Sequence, residues 1–244
     1  MPSAKSSYWA ASRAPRYSLT FALPLLVAYE LLAFLLTHDA MEGVRNGADV
    51  LLKSVFVLLG GRNGLILFGV LLVGTGAVLV WRDRKTSGPL EGRVFAGMAL
   101  ESLVYACLFG GITSALTALL LHGPGLLAIP PREPLDLPTQ LMVSLGAGIY
   151  EELLFRVILV TGLAKLAEVV FGWKRPLAGA FATLFGALIF SSFHYLGPLG
   201  DQLEVSSFVY RTIAGILLSA LYLVRGFGIT AWTHALYDVL VTVM

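Results

Sequence analysis

Long apolar runs alternate with short polar segments along the whole chain. Runs near the length that crosses a bilayer, roughly 20 residues, are found throughout. They lie at 17–37, 64–81, 94–121, 139–162, 176–196, 205–224 and 226–243. Because lipid offers the backbone no hydrogen-bond partners, each run is expected to be mainly helical. The pattern predicts an all-α polytopic membrane bundle of about seven or eight spanning helices.

The apolar segment from Val50 to Leu59 is too short to cross a membrane alone. We expect an interfacial or re-entrant helix there, on the outer side. The stretch Gly123–Pro138, rich in proline, is expected to be a loop between the third and fourth spans. These two assignments determine which connections lie on the same side of the membrane.

The composition supports a membrane protein without a separate soluble domain. Hydrophobic residues make up 57% of the 244, mean hydropathy is +0.81, and 13% are charged, against roughly a quarter in soluble domains. We expect one integral membrane domain, residues 1–244, with the lipid bilayer as a partner. The net charge of +2 does not indicate nucleic-acid binding. The single Cys107 excludes an internal disulfide framework.

The lysines and arginines outside the spans predict the orientation. The run from Tyr17 to Leu36 is longer than a signal-peptide core and lacks a clear cleavage site, so we expect it to be the first span. With the N-terminus in the cytoplasm, eleven of the 17 basic residues lie on the inner side, as the positive-inside rule requires. They are Lys5, Arg13, Arg16, Arg82, Arg84, Lys85, Arg93, Lys165, Lys174, Arg175 and Arg225. The prediction is a multi-pass protein of the inner (plasma) membrane.

The fourth predicted span carries three ionisable residues near the middle of the membrane: Glu151, Glu152 and Arg156. Each costs roughly 2.5–3.5 kcal/mol on insertion scales, so such a cluster needs mutual pairing and generally a function. On an α-helix, Glu152 and Arg156 share a face, whereas Glu151 is turned about 100° away. We expect Glu152 to be neutralised and Glu151 to be left for chemistry. The alternative is one buried network that only locks helix packing.

Two further polar groups follow. His194 lies at the outer end of the fifth span, where an ordinary interfacial histidine is the alternative. His234 and Asp238 lie four positions apart in the last span, on one face, and can bond each other or point to one site. A paired histidine and aspartate without function is the alternative here.

Most protease signatures are absent. There is no H-E-x-x-H, and two histidines with a carboxylate make a weak zinc site. Tyr237-Asp238 is similar to half of an aspartyl intramembrane protease, but a second aspartate within a span is missing. No Gly-x-Ser-x-Gly elbow is present. Carboxylate-activated water, without metal or cofactor, is the mechanism that remains.

The polar groups, taken in order, resemble the motifs of the CAAX protease and bacteriocin-processing family, which includes the Ras-converting CaaX endopeptidases. The motifs are Glu151-Glu152-x-x-x-Arg156, Phe190-x-x-x-His194 and His234-x-x-x-Asp238. The resemblance covers about residues 139–243 and implies an intramembrane endopeptidase that cuts near a substrate's C-terminus. Earlier residues match only as generic membrane helices.

The resemblance also implies individual roles. Glu151 would be the general base that polarises a water, His194 would help to hold this water, and Glu152 and Arg156 would support the site.

The last motif would stabilise the oxyanion formed when the peptide carbonyl is attacked. His234 and Asp238 would share this task. The prenyl-protein members have asparagine at the position of Asp238. An ionised aspartate repels an oxyanion, so Asp238 must either be protonated and donate or be ionised and orient His234.

The substrate is expected to be a membrane-anchored or tail-bearing protein. Because His194 is predicted near the outer face, C-terminal sorting tails, as in myxosortase-like members, fit better than cytosolic prenylproteins. Two other classes stay open: a proton-coupled transporter and a silent immunity or binding protein. The relay of such a transporter would use Glu30, Glu101, Glu151 and Arg211.

Overall fold

The protein is a bundle of helices. The structure, a computed structural model, describes residues 7–36, 44–121, 135–197 and 200–244, and these contain helices and no strand. The helices are α1 (Tyr8–Arg13), α2 (Pro15–Leu36), α3 (Gly47–Gly60), α4 (Arg62–Ser87), α5 (Gly92–Leu121), α6 (Leu137–Gly146), a π-helical segment (Ala147–Val160), α7 (Thr161–Val170), α8 (Arg175–Phe193), α9 (Val205–Arg225) and α10 (Phe227–Val243).

Five of these helices are long and apolar enough to cross a membrane: α2, α4, α5, α8 and α9. The other two predicted spans are also helical. One belongs to an uninterrupted helix over residues 137–170, and the other is the 17-residue α10. The predicted all-α membrane bundle is confirmed. The lipid-facing surface is apolar, since α4 exposes Ile66, Val70 and Val73 along its length.

Local sequence signals explain where several helices begin and end. Pro15, Pro138 and Pro176 stand in the first turns of α2, α6 and α8, where a missing N–H costs nothing. Gly226 separates α9 from α10 with a φ of 81°, a conformation that other residues rarely adopt. The predicted loop Gly123–Pro138 was too long at its end, because α6 begins at Leu137. The remainder, residues 123–134, lies outside the described residues.

The prediction of α-helical winding throughout the fourth span is wrong. Residues Ala147–Val160 form a π-helix, whose hydrogen bonds run from i to i+5. At its end the Thr161 N–H and the Thr161 hydroxyl, the latter at 3.1 Å, both donate to the carbonyl of Arg156. π-Helical turns are rare and frequently occur at functional sites. Glu151 is therefore not related to Glu152 by the rotation of about 100° per residue that an α-helix would give.

Contacts between helix ends agree with the predicted arrangement of connections. The Arg16 guanidinium at the start of α2 lies 3.2 Å from Asp83 at the end of α4. The guanidinium of Arg13 donates to the carbonyl of Leu223, near the end of α9, at 3.1 Å. The N-terminal end of the bundle, the α4–α5 connection and the α9–α10 turn therefore lie on one side. Which compartment this side faces stays a prediction.

The short helix expected around Val50–Leu59 is α3, which packs against α4 and the π-helical segment. Its first residue, Gly47, lies beside Phe193 at the end of α8. The N-terminus of α3 thus reaches the end of α8 that carries His194.

Candidate active site

Glu151 lies on the π-helical segment and is 9% exposed. The side-chain amide of Asn46 donates to its Oε1 at 2.8 Å. Its carboxylate also interacts electrostatically with His194, His234 and Arg156. Groups from α3, α8 and α10 therefore surround this carboxylate.

Glu152 is fully buried and is held on both sides. Its Oε2 lies 3.1 Å from Nε of Arg156, the predicted ion pair. Its Oε1 lies 2.6 Å from Nδ1 of His234, a contact that the sequence did not predict. Because a carboxylate only accepts, Nδ1 of His234 is the donor. Glu152 thus fixes both the orientation and the tautomer of His234.

Arg156 is 1% exposed, and its guanidinium lies 4.4 Å from the centre of the Phe190 ring. Its contact with Glu152 is close enough for an ion pair but is not aligned as a hydrogen bond. The buried cation is therefore stabilised by charge attraction to Glu152 and by the face of an aromatic ring.

His194 directly follows the last residue of α8. Its Nδ1 lies 2.9 Å from the carbonyl oxygen of Phe190, so Nδ1 carries the proton. In the neutral ring, Nε2 then has the lone pair and can accept a hydrogen bond from a water or another donor.

His234 and Asp238 share one face of α10, as predicted. Nε2 of His234 lies 3.6 Å from Oδ2 of Asp238, beyond hydrogen-bond length. His234 is 6% exposed, whereas the Asp238 side chain is 29% exposed. Both atoms therefore keep the capacity to bond a third group placed between them.

The structure brings all six predicted residues into one region. The electrostatic partners of Glu151 include His194, His234 and Arg156, and those of Asp238 include Glu151 and Glu152. The six residues belong to three elements, namely the π-helical segment, the end of α8 and α10, and Asn46 at the start of α3 adds a fourth.

Sequence reasoning missed Asn46 and a group of buried charges behind it. In this group Asp49 of α3 pairs with Arg45 at 3.0 Å and with Lys53 at 2.7 Å. Lys53 also pairs with Glu30 of α2 at 3.0 Å. The i, i+4 spacing of Arg45, Asp49 and Lys53 is a signal for these pairs, but the sequence predicts that the segment lies at the outer surface of the membrane.

The other ionisable groups of the proposed relay are paired locally. Glu101 accepts from Nε of Arg225 at 2.6 Å and from the hydroxyl of Tyr8 at 2.6 Å. Burial and the contact with Glu101 raise the pKa of Tyr8 to about 12, so this phenol stays a donor at neutral pH. Arg211 lies 2.5 Å from Asp201. Glu101 contacts the N-terminal end of the bundle, away from His194 and Asn46. This separation does not favour a continuous proton path from Glu101 to Glu151.

Within the described part of the chain, no three histidine, cysteine, aspartate or glutamate side chains are arranged to hold a metal ion.

One family model, described as Type II CAAX prenyl endopeptidase Rce1-like, matches residues 133–240. This segment contains all six predicted residues. No curated protein and no solved structure matches the chain.

Proposed function

Residues 133–240 belong to the CAAX protease family of Rce1-like endopeptidases, and from this premise we propose an endopeptidase reaction driven by Glu151. The chain is an integral membrane protein with a protease domain. In our proposal, Glu151 activates a water that cleaves a peptide bond near the C-terminus of a membrane-anchored substrate.

The convergence of unlike polar groups around Glu151 carries this proposal. Glu152 is occupied by Arg156 and His234, whereas the only hydrogen bond to Glu151 among the described residues comes from Asn46. A carboxylate that accepts a single amide keeps lone pairs to accept a proton from water. Glu151 is thus better placed than Glu152 to accept a proton from water.

The proposed attack begins with a water held between Glu151 and Nε2 of His194. Glu151 takes one proton as the water oxygen bonds to the substrate's carbonyl carbon, and the carbonyl electrons move onto its oxygen. The same proton is then delivered to the amide nitrogen as the C–N bond breaks and the carbonyl re-forms. The products are a carboxylic acid and an amine, which balances the hydrolysis.

His234 and Asp238 would stabilise the oxyanion. The gap of 3.6 Å between Nε2 and Oδ2 leaves each atom able to face the new charge. One proton on either atom supplies a donor, and loss of one such donor typically costs a factor of about 10²–10³ in rate. Because Glu152 already orients His234 at 2.6 Å, Asp238 is not required for that task.

We further propose that the substrate is a C-terminal tail presented from the side opposite the N-terminal end of the bundle. His194 and Asn46 lie towards that side, at the end of α8 and the start of α3. The family description points instead to prenylated CaaX tails. The two substrate classes share a cut near the C-terminus.

Purified protein in liposomes tests the proposal. One set of liposomes carries a prenylated CaaX peptide and another carries a membrane-anchored peptide with a sorting-type tail. We expect wild-type protein to produce a new C-terminus on one of them, detected by mass spectrometry. Glu151→Gln should reduce the rate by at least about 10²-fold, because an amide cannot accept the proton.

Expression and detergent-extracted stability of Glu151→Gln should stay close to wild type. Wild-type turnover by this variant would remove Glu151 as the base.

Comparison of membrane-protein C-termini in cells with and without the protein, with Glu151→Gln cells as the blank, would name the natural substrate. Identical C-termini in all three would overturn the proposed endopeptidase.

A further inference from the structure

Asn46 lies far outside the family-matched segment, yet among the described residues it is the one that hydrogen-bonds to Glu151. Its Nδ2 lies 2.8 Å from Oε1 of Glu151. The two residues are separated by 105 positions, so only the packing of α3 brings them together. Asn46 is 2% exposed.

The orientation of this amide is determined by a second bond. Oδ1 of Asn46 accepts the backbone N–H of Ala48 at 2.9 Å and caps the N-terminus of α3. A carboxylate oxygen cannot donate, so a flipped amide would lose both bonds at once. The amide group is thus held between the first turn of α3 and Glu151.

Close packing holds Asn46 in place. A Cβ added to Gly146, just before the π-helical segment, would lie 2.7 Å from Cβ of Asn46 and 2.6 Å from the Tyr29 ring. Tyr29 in turn donates to Asp49 of α3 at 2.7 Å. The buried charges of Asp49 and Lys53 then tie α3 to Glu30 of α2. This network stabilises the position of α3 and therefore of its N-cap residue, Asn46.

We propose that Asn46 is a positioning residue for Glu151, an inference that rests on the proposed role of Glu151 as base. Its amide engages Oε1, holds the carboxylate in one rotamer and leaves Oε2 to take the proton from water. Asn46 acts through Glu151 and does not contact the substrate.

The test compares Asn46→Asp and Asn46→Ser in liposomes with the peptide that wild-type protein cleaves, either the prenylated CaaX or the tail peptide. Aspartate and serine both cap a helix N-terminus. The aspartate cannot donate when ionised, and the serine is too short to reach Glu151. We expect kcat to fall about 10- to 100-fold, the size for a lost hydrogen bond to a charged group. For Asn46→Ser, KM and the melting temperature should stay within about twofold and a few degrees of wild type. Asn46→Asp should also lower the melting temperature, because it buries a second carboxylate beside Glu151.

Asn63 offers a matched control, because it is an exposed asparagine near the start of α4. Asn63→Asp and Asn63→Ser should leave kcat unchanged. Wild-type kcat in both Asn46 variants would overturn the inference. So would a loss of folded protein in Asn46→Ser, or a fall in its kcat that follows the melting temperature, since either makes Asn46 only a structural cap. If Glu151→Gln is inactive while both Asn46 variants are fully active, this inference fails and the proposed function stands.

Discussion

Glu151 and Glu152 are identical side chains at adjacent positions, and their surroundings make them different. Glu152 is fully buried between Arg156 and His234, at 3.1 and 2.6 Å. A buried charge with two partners is stable but has little capacity left for a reaction. Glu151 has one amide partner and lies beside two imidazoles. The division of tasks that we propose for the two glutamates therefore rests on their contacts and not on residue type.

This difference predicts distinct effects on stability. Glu152→Gln and Arg156→Ala should each lower the free energy of unfolding by about 3–5 kcal/mol, because each leaves a buried charge without its partner. Activity should fall together with the amount of folded protein, as measured by size-exclusion chromatography and thermal unfolding in detergent.

Glu168 provides the matched control on the same long helix. It pairs with Lys165 at 3.0 Å on the surface, where such pairs contribute at most about 1 kcal/mol. Glu168→Gln should therefore leave stability nearly unchanged. Equal stability of Glu152→Gln and Glu168→Gln would contradict the structural role given to Glu152.

At the scale of elements, the π-helical segment and α10 pack closely against each other at the site. A Cβ added to Gly148 would lie 2.5 Å from the carbonyl oxygen of Ala231 and 2.6 Å from Cβ of Ala235. Ala235 directly follows His234, and Ala231 lies three residues before it. The absence of a side chain at Gly148 thus allows Glu151 and Glu152 to approach His234.

Gly148→Ala should therefore push α10 away from the π-helical segment. We expect a loss of about 1–3 kcal/mol in stability from overpacking and a larger relative loss of activity, because His234 moves away from Glu152. Thermal unfolding and cleavage rates of the purified variant would measure both effects.

Gly162→Ala is the control in the same continuous helix. A Cβ there would meet nothing within 4 Å, and alanine favours helix. This variant should be as stable as wild type or slightly more so, with unchanged activity. A Gly148→Ala variant that behaves in the same way would show that the close approach of α10 does not limit the reaction.

At the scale of the whole molecule, the arrangement of helix ends predicts the topology. Arg16 and Asp83 join the start of α2 to the end of α4, and the α3–α4 turn belongs to the other end of α4. The basic residues of the N-terminal side predict that it faces the cytoplasm.

Single cysteines test this orientation in intact cells, in a background with Cys107→Ser. Asn63→Cys in the first turn of α4 should react with a membrane-impermeant thiol reagent, whereas Ser87→Cys at the end of α4 should react only after the cells are opened. Both side chains are exposed. The reverse labelling pattern would invert the topology and place His194 and Asn46 towards the cytoplasm.

The sequence by itself determined the class of the molecule and predicted the residues of the candidate site. The length of an apolar run has to match the thickness of the bilayer. Charged residues within such a run cost free energy, so they generally mark a functional site. Local spacing also predicted the pairs Glu152–Arg156 and His234–Asp238, because residues four apart lie on one helix face. The three ordered motifs then indicated the family.

Only the tertiary structure decided which distant groups meet and how the site is held. His234 reaches Glu152 across 82 positions, and Asn46 reaches Glu151 across 105. Such contacts depend on the packing of whole helices, about which local spacing carries no information. The π-helical winding of Ala147–Val160 likewise left no periodic signal in a run that is apolar on most faces. The burial of the charges on α3 also depends on long-range packing, because α2 and the π-helical segment cover them. Local sequence alone therefore predicts that they lie at the surface.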